Sequence, residues 1–177
     1  MKKIFFIITF FATLISCTKE DALDPLPLIV NGDFVRLDIT SKRLEFQNLN
    51  TTYFGGNLTT PNANIEKYEL FVRRKRANGI LSSDYIKLLT VTNFPYDLRV
   101  TPQLIADAYN IPLSDLQISE TYGFLAYATT KQGKVISYDS LSSVVRTQPG
   151  LKQAFRFFTD LEKDAVFNPD FNNYQNQ

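Results

Sequence analysis

From Asp33 onward, apolar and polar positions alternate with a period of two. In FVRLDI, Val35, Leu37 and Ile39 fall on one face and Arg36 and Asp38 on the other, the pattern of a half-buried strand. RLEFQ repeats it, with Leu44 and Phe46 opposing Arg43, Glu45 and Gln47. YFGGNLTTPNAN follows, and Gly55, Gly56 and Pro61 mark it as a loop. The clearest strand is IEKYELFVRRK, which sends Tyr68, Leu70 and Val72 inward and Lys67, Glu69, Phe71, Arg73 and Lys75 outward. Asn78-Gly79 then turns the chain. Tyr85 to Val91 reads as a strand, and Tyr96, Leu98 and Val100 alternate once more. TYGFLAYATT is almost entirely apolar, as expected of a central strand covered on both faces. Gln132-Gly133 turns into VISYDSL, another strand. In QAFRFFT, Phe155 and Phe157 alternate around Arg156 as a last strand, with a short helix running to Lys163 as the rival reading.

One helix is expected between these strands. Thr101 is its N-cap, Pro102 occupies the first helical position and QLIADAY supplies good helix formers. Asn110 suits the left-handed closing position and Pro112 blocks continuation. About seven short strands, regular turn signals and one brief helix predict an immunoglobulin-like antiparallel β-sandwich over residues 33–160. A small barrel and a jelly roll are the alternatives. Residues 161–177, polar and rich in Asn, read as a flexible tail.

The N-terminal segment has a different texture. Met1, Lys2 and Lys3 form a positive start, and in Ile4 to Ile15 only Thr9 and Thr13 carry a polar group. That run is too short for a membrane-spanning helix, which needs about 20 apolar residues. It has the length and flanks of a secretory signal. Leu14-Ile15-Ser16-Cys17 resembles the bacterial lipobox, which implies cleavage after residue 16 and acylation of Cys17, the one cysteine of the chain. Several acyl chains on one residue anchor firmly where a single chain does not. The Lys19-Glu20-Asp21 run that follows resembles the export signal of Bacteroidetes surface lipoproteins and implies display on the outer face. Residues 17–32, stiffened by Pro25 and Pro27, read as a tether.

Composition narrows the chemistry. Lys+Arg 19 against Asp+Glu 18 gives no charge excess to hold a polyanion, so no nucleic-acid partner is expected. Histidine is absent. With Cys17 acylated, zinc lacks its usual ligands and Ser-His-Asp or Cys-His catalysis lacks its base. No cofactor is expected. The carboxylate pairs Glu66 with Glu69 and Asp160 with Glu162 are the remaining candidates for a hydrolase, but a glycosidase needs carboxylates facing one another across a cleft. Glu66 and Glu69 point to opposite faces of a regular strand. The expectation is a protein that is not an enzyme.

Lipobox, acidic signal, tether and the segments YELFVRRKR, TVTNFPYDLRVTPQLIADAYNI and TYGFLAYATTKQGKVISYDSLSS together resemble small Bacteroidetes surface lipoproteins with one immunoglobulin-like domain. These are similar to the SusE/SusF-like accessory lipoproteins that accompany Sus-type TonB-dependent transporters. The resemblance implies an outer-membrane accessory subunit held by acyl chains on Cys17, whose partner is a β-barrel or another lipoprotein. Phe167, Phe171 and Tyr174, spaced among asparagines, are candidate partner contacts. A glycan-binding module is the alternative function. Its candidates are Tyr53 and Phe54 with Asn57, and outward Phe71 flanked by Lys67, Glu69 and Arg73. Asp139-Ser140-Leu141 also fits the O-glycosylation pattern of exported Bacteroidetes proteins, with Ser140 as acceptor.

Overall fold

The structure, a computed structural model, describes residues 33–82 and 84–163, all within one unit of the chain, Gly32–Gln177. The lipidation residue Cys17, the export signal Lys19, Glu20 and Asp21, the tether and the aromatic residues Phe167, Phe171 and Tyr174 lie outside the described residues. In chain order the strands are β1 (Arg36–Lys42), β2 (Leu44–Glu45), β3 (Phe54–Thr59), β4 (Ile65–Lys75), β5 (Ile86–Val91), β6 (Tyr96–Val100), β7 (Thr121–Thr130), β8 (Val135–Ser137) and β9 (Arg156–Glu162). The helices are α1 (Pro102–Ala108), α2 (Ser143–Arg146) and α3 (Pro149–Phe155).

The strands form two sheets. The smaller has the order β1-β3-β6 and the larger β2-β9-β7-β4-β5, with β8 alongside the second half of β7. The molecule is a mainly β sandwich with an immunoglobulin-like strand order, the class its alternating texture predicts. It is not wholly antiparallel, because β2 pairs with β9 in parallel, Leu44 opposite Leu161 and Glu45 opposite Glu162. The first strand segment therefore serves both sheets, β1 on one and β2 on the other.

Alternation sets which side chains fill the space between the sheets. Leu37, Leu58, Leu98 and Val100 come from the smaller sheet, and Tyr68, Leu70, Val72, Phe124 and Leu161 from the larger; all are buried. Phe54 crosses the gap, its ring stacked 4.7 Å from Phe157, which stacks 4.5 Å from Phe124. Each such side chain removed from water contributes roughly 1.5–3 kcal/mol. Tyr68 keeps its hydroxyl satisfied in this core by donating to the Ala154 carbonyl at 2.6 Å. Burial pushes its pKa well above the usual tyrosine value.

Helix α1 forms as its sequence dictates. Thr101 is extended and its hydroxyl accepts from the Leu104 N–H at 3.2 Å, Pro102 opens the helix, and Asn110 takes φ 53° after its end. Its apolar side, Ile105 and Ala106, closes the core.

Five local expectations differ from the structure in whole or in part. YFGGNLTTPNAN is not all loop: Phe54–Thr59 is β3, the middle strand of the smaller sheet. Gly55 and Gly56 are small there because neighbouring backbone crowds them, Leu98 beside the first and Asp38 beside the second. RLEFQ gives a strand of two residues only, since Phe46–Asn48 winds into a 3-10 turn. VISYDSL is likewise strand only through Ser137 before a 3-10 turn at Tyr138–Ser140. Both readings of QAFRFFT hold in part: α3 runs to Phe155 and buries it, and the backbone turns extended at Arg156 to begin β9. That strand continues through Glu162, into the segment read as tail, and fully buries Leu161.

Candidate interaction surface

The outward residues of the two sheets differ in how their charges are held. On the smaller sheet Asp38, Asn57 and Asp97 lie opposite one another across β1, β3 and β6. Each arginine on this face is answered by an aspartate on its own strand, Arg36 by Asp38 and Arg99 by Asp97, both at 2.8 Å. It is a solvated, self-neutralised face.

The larger sheet is different. Arg73, Gly123 and Phe158 form one outward row across β4, β7 and β9, and Phe71, Leu125 and Arg156 the next. Gly123 leaves room for the Phe158 ring: an added Cβ would stand 3.0 Å from that ring and 3.7 Å from the Tyr85 hydroxyl. The Arg73 guanidinium lies 5.8 Å from the centre of the Tyr85 ring. Arg156 sits between Tyr138 at 5.4 Å and Phe158 at 5.9 Å, and Arg146 also covers Tyr138 at 5.4 Å. Arg146 is fixed further, donating to the carbonyls of Leu141 and Asp139 at 2.9 and 3.1 Å. Phe71 meets Tyr127 edge-on at 5.6 Å. TYGFLAYATT is thus covered on both faces only at its first half, and Tyr127 is 38% exposed. Glu69, an outward carboxylate of β4, is held between Lys87 at 2.6 Å and Lys67 at 2.9 Å. Hydrogen bonds from Lys87 and then Lys67 hold its pKa below the usual glutamate range.

These positions divide the glycan-site residues expected from sequence. Phe54 does not reach the surface, because alternation in β3 turns it into the core, where it is 1% exposed. Tyr53 stays partly exposed, with the Arg99 guanidinium 4.7 Å from its ring centre. Asn57 is exposed on the outer face of the smaller sheet. Phe71 belongs to the other sheet's outer face, so the sandwich separates it from Asn57. Ser140 is exposed, and its hydroxyl accepts from the Ser137 N–H and donates to the Ser137 carbonyl, both at 2.8 Å. Of the paired carboxylates, Glu162 lies 3.7 Å from Arg43.

A buried ionic group closes one end of the sandwich. Arg74 sends its fork to both carboxylate oxygens of Glu120, and its Nη2 also donates to the Asp115 carbonyl at 3.0 Å. The Tyr122 hydroxyl donates to Glu120 Oε2 at 2.6 Å. Burial disfavours the Arg74 cation, but Glu120 offsets this and holds the guanidinium pKa above its ordinary value. Tyr122 is pushed up as well, by burial and then by the carboxylate beside it. The strand alternation that sends Arg73 outward sends Arg74 inward, and that is the signal in the sequence for this buried cation. Among the described residues every buried side-chain polar atom has a hydrogen-bond partner. Such a satisfied group, cut off from solvent, ties the loop before β7 to β4 and offers no entry for a ligand.

Among the described residues no three His, Cys, Asp or Glu side chains converge as a metal site would require, and no helix is long and apolar enough to cross a membrane. No protein-family model matches this chain, and no curated protein matches it significantly.

Proposed function

We propose that this chain is a lipoprotein anchored in the outer membrane through Cys17, displayed on the cell exterior, and working by protein contact as a non-catalytic accessory subunit of a nutrient-uptake type complex. The anchor rests on Leu14-Ile15-Ser16-Cys17 and the exterior placement on Lys19-Glu20-Asp21. The observation that carries the contact role is the inequality of the two outer faces. One is self-neutralised, whereas the other gathers Phe71, Tyr85, Tyr127, Tyr138 and Phe158 with arginines. Aromatic residues and arginine are the types enriched in protein interfaces. The partner in this reading is an outer-membrane β-barrel or another lipoprotein.

The glycan alternative needs a bare ring as a stacking platform. It loses support because Phe54 lies in the core and Arg99 covers a face of Tyr53. The test is extraction of native membranes in mild detergent, after cross-linking through the full mature chain. A β-barrel or lipoprotein recovered in fixed stoichiometry is the expected result. A clean monomer under the same conditions, or a residue 17 found unacylated by mass spectrometry, overturns the reading.

A further inference from the structure

The chemistry of the partner can be read from the larger sheet's outer face. Arg73, Arg146 and Arg156 occupy it, each guanidinium 5.4 to 5.8 Å from an aromatic ring centre, and among the described residues none of the three forms a salt bridge. On the smaller sheet the same residue type is paired within its own strand. Asp84 and Asp139 adjoin Tyr85 and Tyr138 in the chain, but among the described residues neither carboxylate forms a salt bridge with these arginines. Glu69 is already shared by Lys67 and Lys87, and Asp160 stands opposite Thr121, one row beyond Phe158. A chain of near-zero net charge thus carries a local cationic strip.

Arg73 gives its Nε to the Ser82 carbonyl, and Arg146 gives its Nε and one Nη to the Leu141 and Asp139 carbonyls, which fixes these guanidinium groups and leaves their remaining N–H groups to donate. A planar fork held this way suits bidentate pairing with carboxylates. The ring faces, by contrast, are already partly covered by the cations, which leaves little flat area for a sugar. Gly123 brings the two halves of the strip together, since it lets Phe158 lean toward Tyr85 between Arg73 and Arg156.

We propose that this strip, built from Arg73, Tyr85, Tyr138, Arg146, Arg156 and Phe158, is the docking surface for an acidic segment of a protein partner. The proposal rests on the contact role argued above and names the class of partner for that same face. Carboxylates of the partner pair with the guanidinium edges while apolar atoms beside them pack on Phe158 and Tyr85.

The test uses the full mature chain and a fluorophore-labelled hexaglutamate peptide, read by anisotropy at low salt and again at about 0.15 M, where exposed pairs are screened. Salt-sensitive binding is expected, with hexaglutamine silent. Arg73→Gln with Arg156→Gln is expected to weaken it about tenfold or more, and Arg146→Gln by less. Arg36→Gln with Arg99→Gln, on the other sheet, leaves it unchanged. All these side chains lie at the surface, and an unaltered melting curve certifies each variant. No binding, or binding indifferent to Arg73 and Arg156, overturns the proposal. So does an oligogalacturonate of equal charge that displaces the peptide at lower concentration than hexaglutamate itself, which would assign the strip to an acidic glycan. The two readings fail separately. If the anchored wild type recovers its membrane partner and the Arg73 and Arg156 variants recover it equally, this inference falls and the accessory role stands. If hexaglutamate binds through the strip while native membranes give only monomer, the accessory role falls and the strip's preference stands.

Discussion

Replacing Glu120 by Gln removes one charge from the sealed end of the sandwich and changes almost nothing in shape. Glu120 is fully buried and the Arg74 side chain is 8% exposed, so the guanidinium has no route to water once its counter-charge is gone. A buried pair broken from one side costs about 3–5 kcal/mol, because the survivor is an uncompensated charge. Gln keeps one oxygen that can accept from Arg74 or from Tyr122, and the Asp115 carbonyl still takes one N–H. The loss therefore belongs at the low end, about 3 kcal/mol. For a domain of this size that is a fall of roughly 6–12 °C in melting temperature. Urea unfolding of the mature chain, followed by far-UV circular dichroism, gives the free energy directly. The companion variant removes both charges, Arg74→Met with Glu120→Leu, and is expected to recover part of the loss, because no charge is left uncompensated while the Tyr122 hydroxyl and the Asp115 carbonyl lose their partners. A Glu120→Gln chain within about 1 kcal/mol of the parent refutes the argument, as does a double variant less stable than the single one.

Further outcomes follow from other positions. Gly56→Ala places a Cβ against the Asp38 backbone, so β1 must shift away from β3, with a loss beyond about 2 kcal/mol by the same urea assay. Tyr68→Phe removes the donor to the Ala154 carbonyl and costs about 1–2 kcal/mol while leaving the core volume intact. Glu69 has a folded pKa below its unfolded one, so its contribution is present above the ordinary glutamate range and is lost as pH falls through the lowered value. Lys87→Met removes the first cause of that shift, and a flatter acid limb in a plot of stability against pH is the expected reading.

The fold was legible wherever alternation was regular. Tyr68, Leu70 and Val72 face inward as their spacing requires, and α1 is announced by Thr101-Pro102 at one end and Asn110 at the other. Legibility failed where a residue type carries two meanings. Glycine marks turns, but Gly55 and Gly56 are small so that three strands can pack closely, and the residue type alone does not separate the two uses. Phe54 shares the ambiguity, since beside a loop it is a surface candidate and within β3 it is core. The interaction face was half visible: Phe71 and Arg73 point outward as expected. Tyr138, Arg146 and Phe158 join them from segments far apart in the chain, and only the register of β7 with β9 and β8 brings them together. Glu120 lies just before a strand, where no periodicity applies, so its bond to Arg74 had no signature of its own.

The parallel pair of β2 and β9 has a mechanical consequence. The described chain begins with Asp33 held to Asn64 at one pole, while β9 runs toward the other and ends there at Glu162. Tension between the two ends pulls β2 and β9 past each other lengthwise, so the contacts of Leu44 and Glu45 with Leu161 and Glu162 bear the load together instead of peeling apart in turn. For a domain tugged between a fixed base and a moving neighbour, that lap joint is what would set the force at which it gives way.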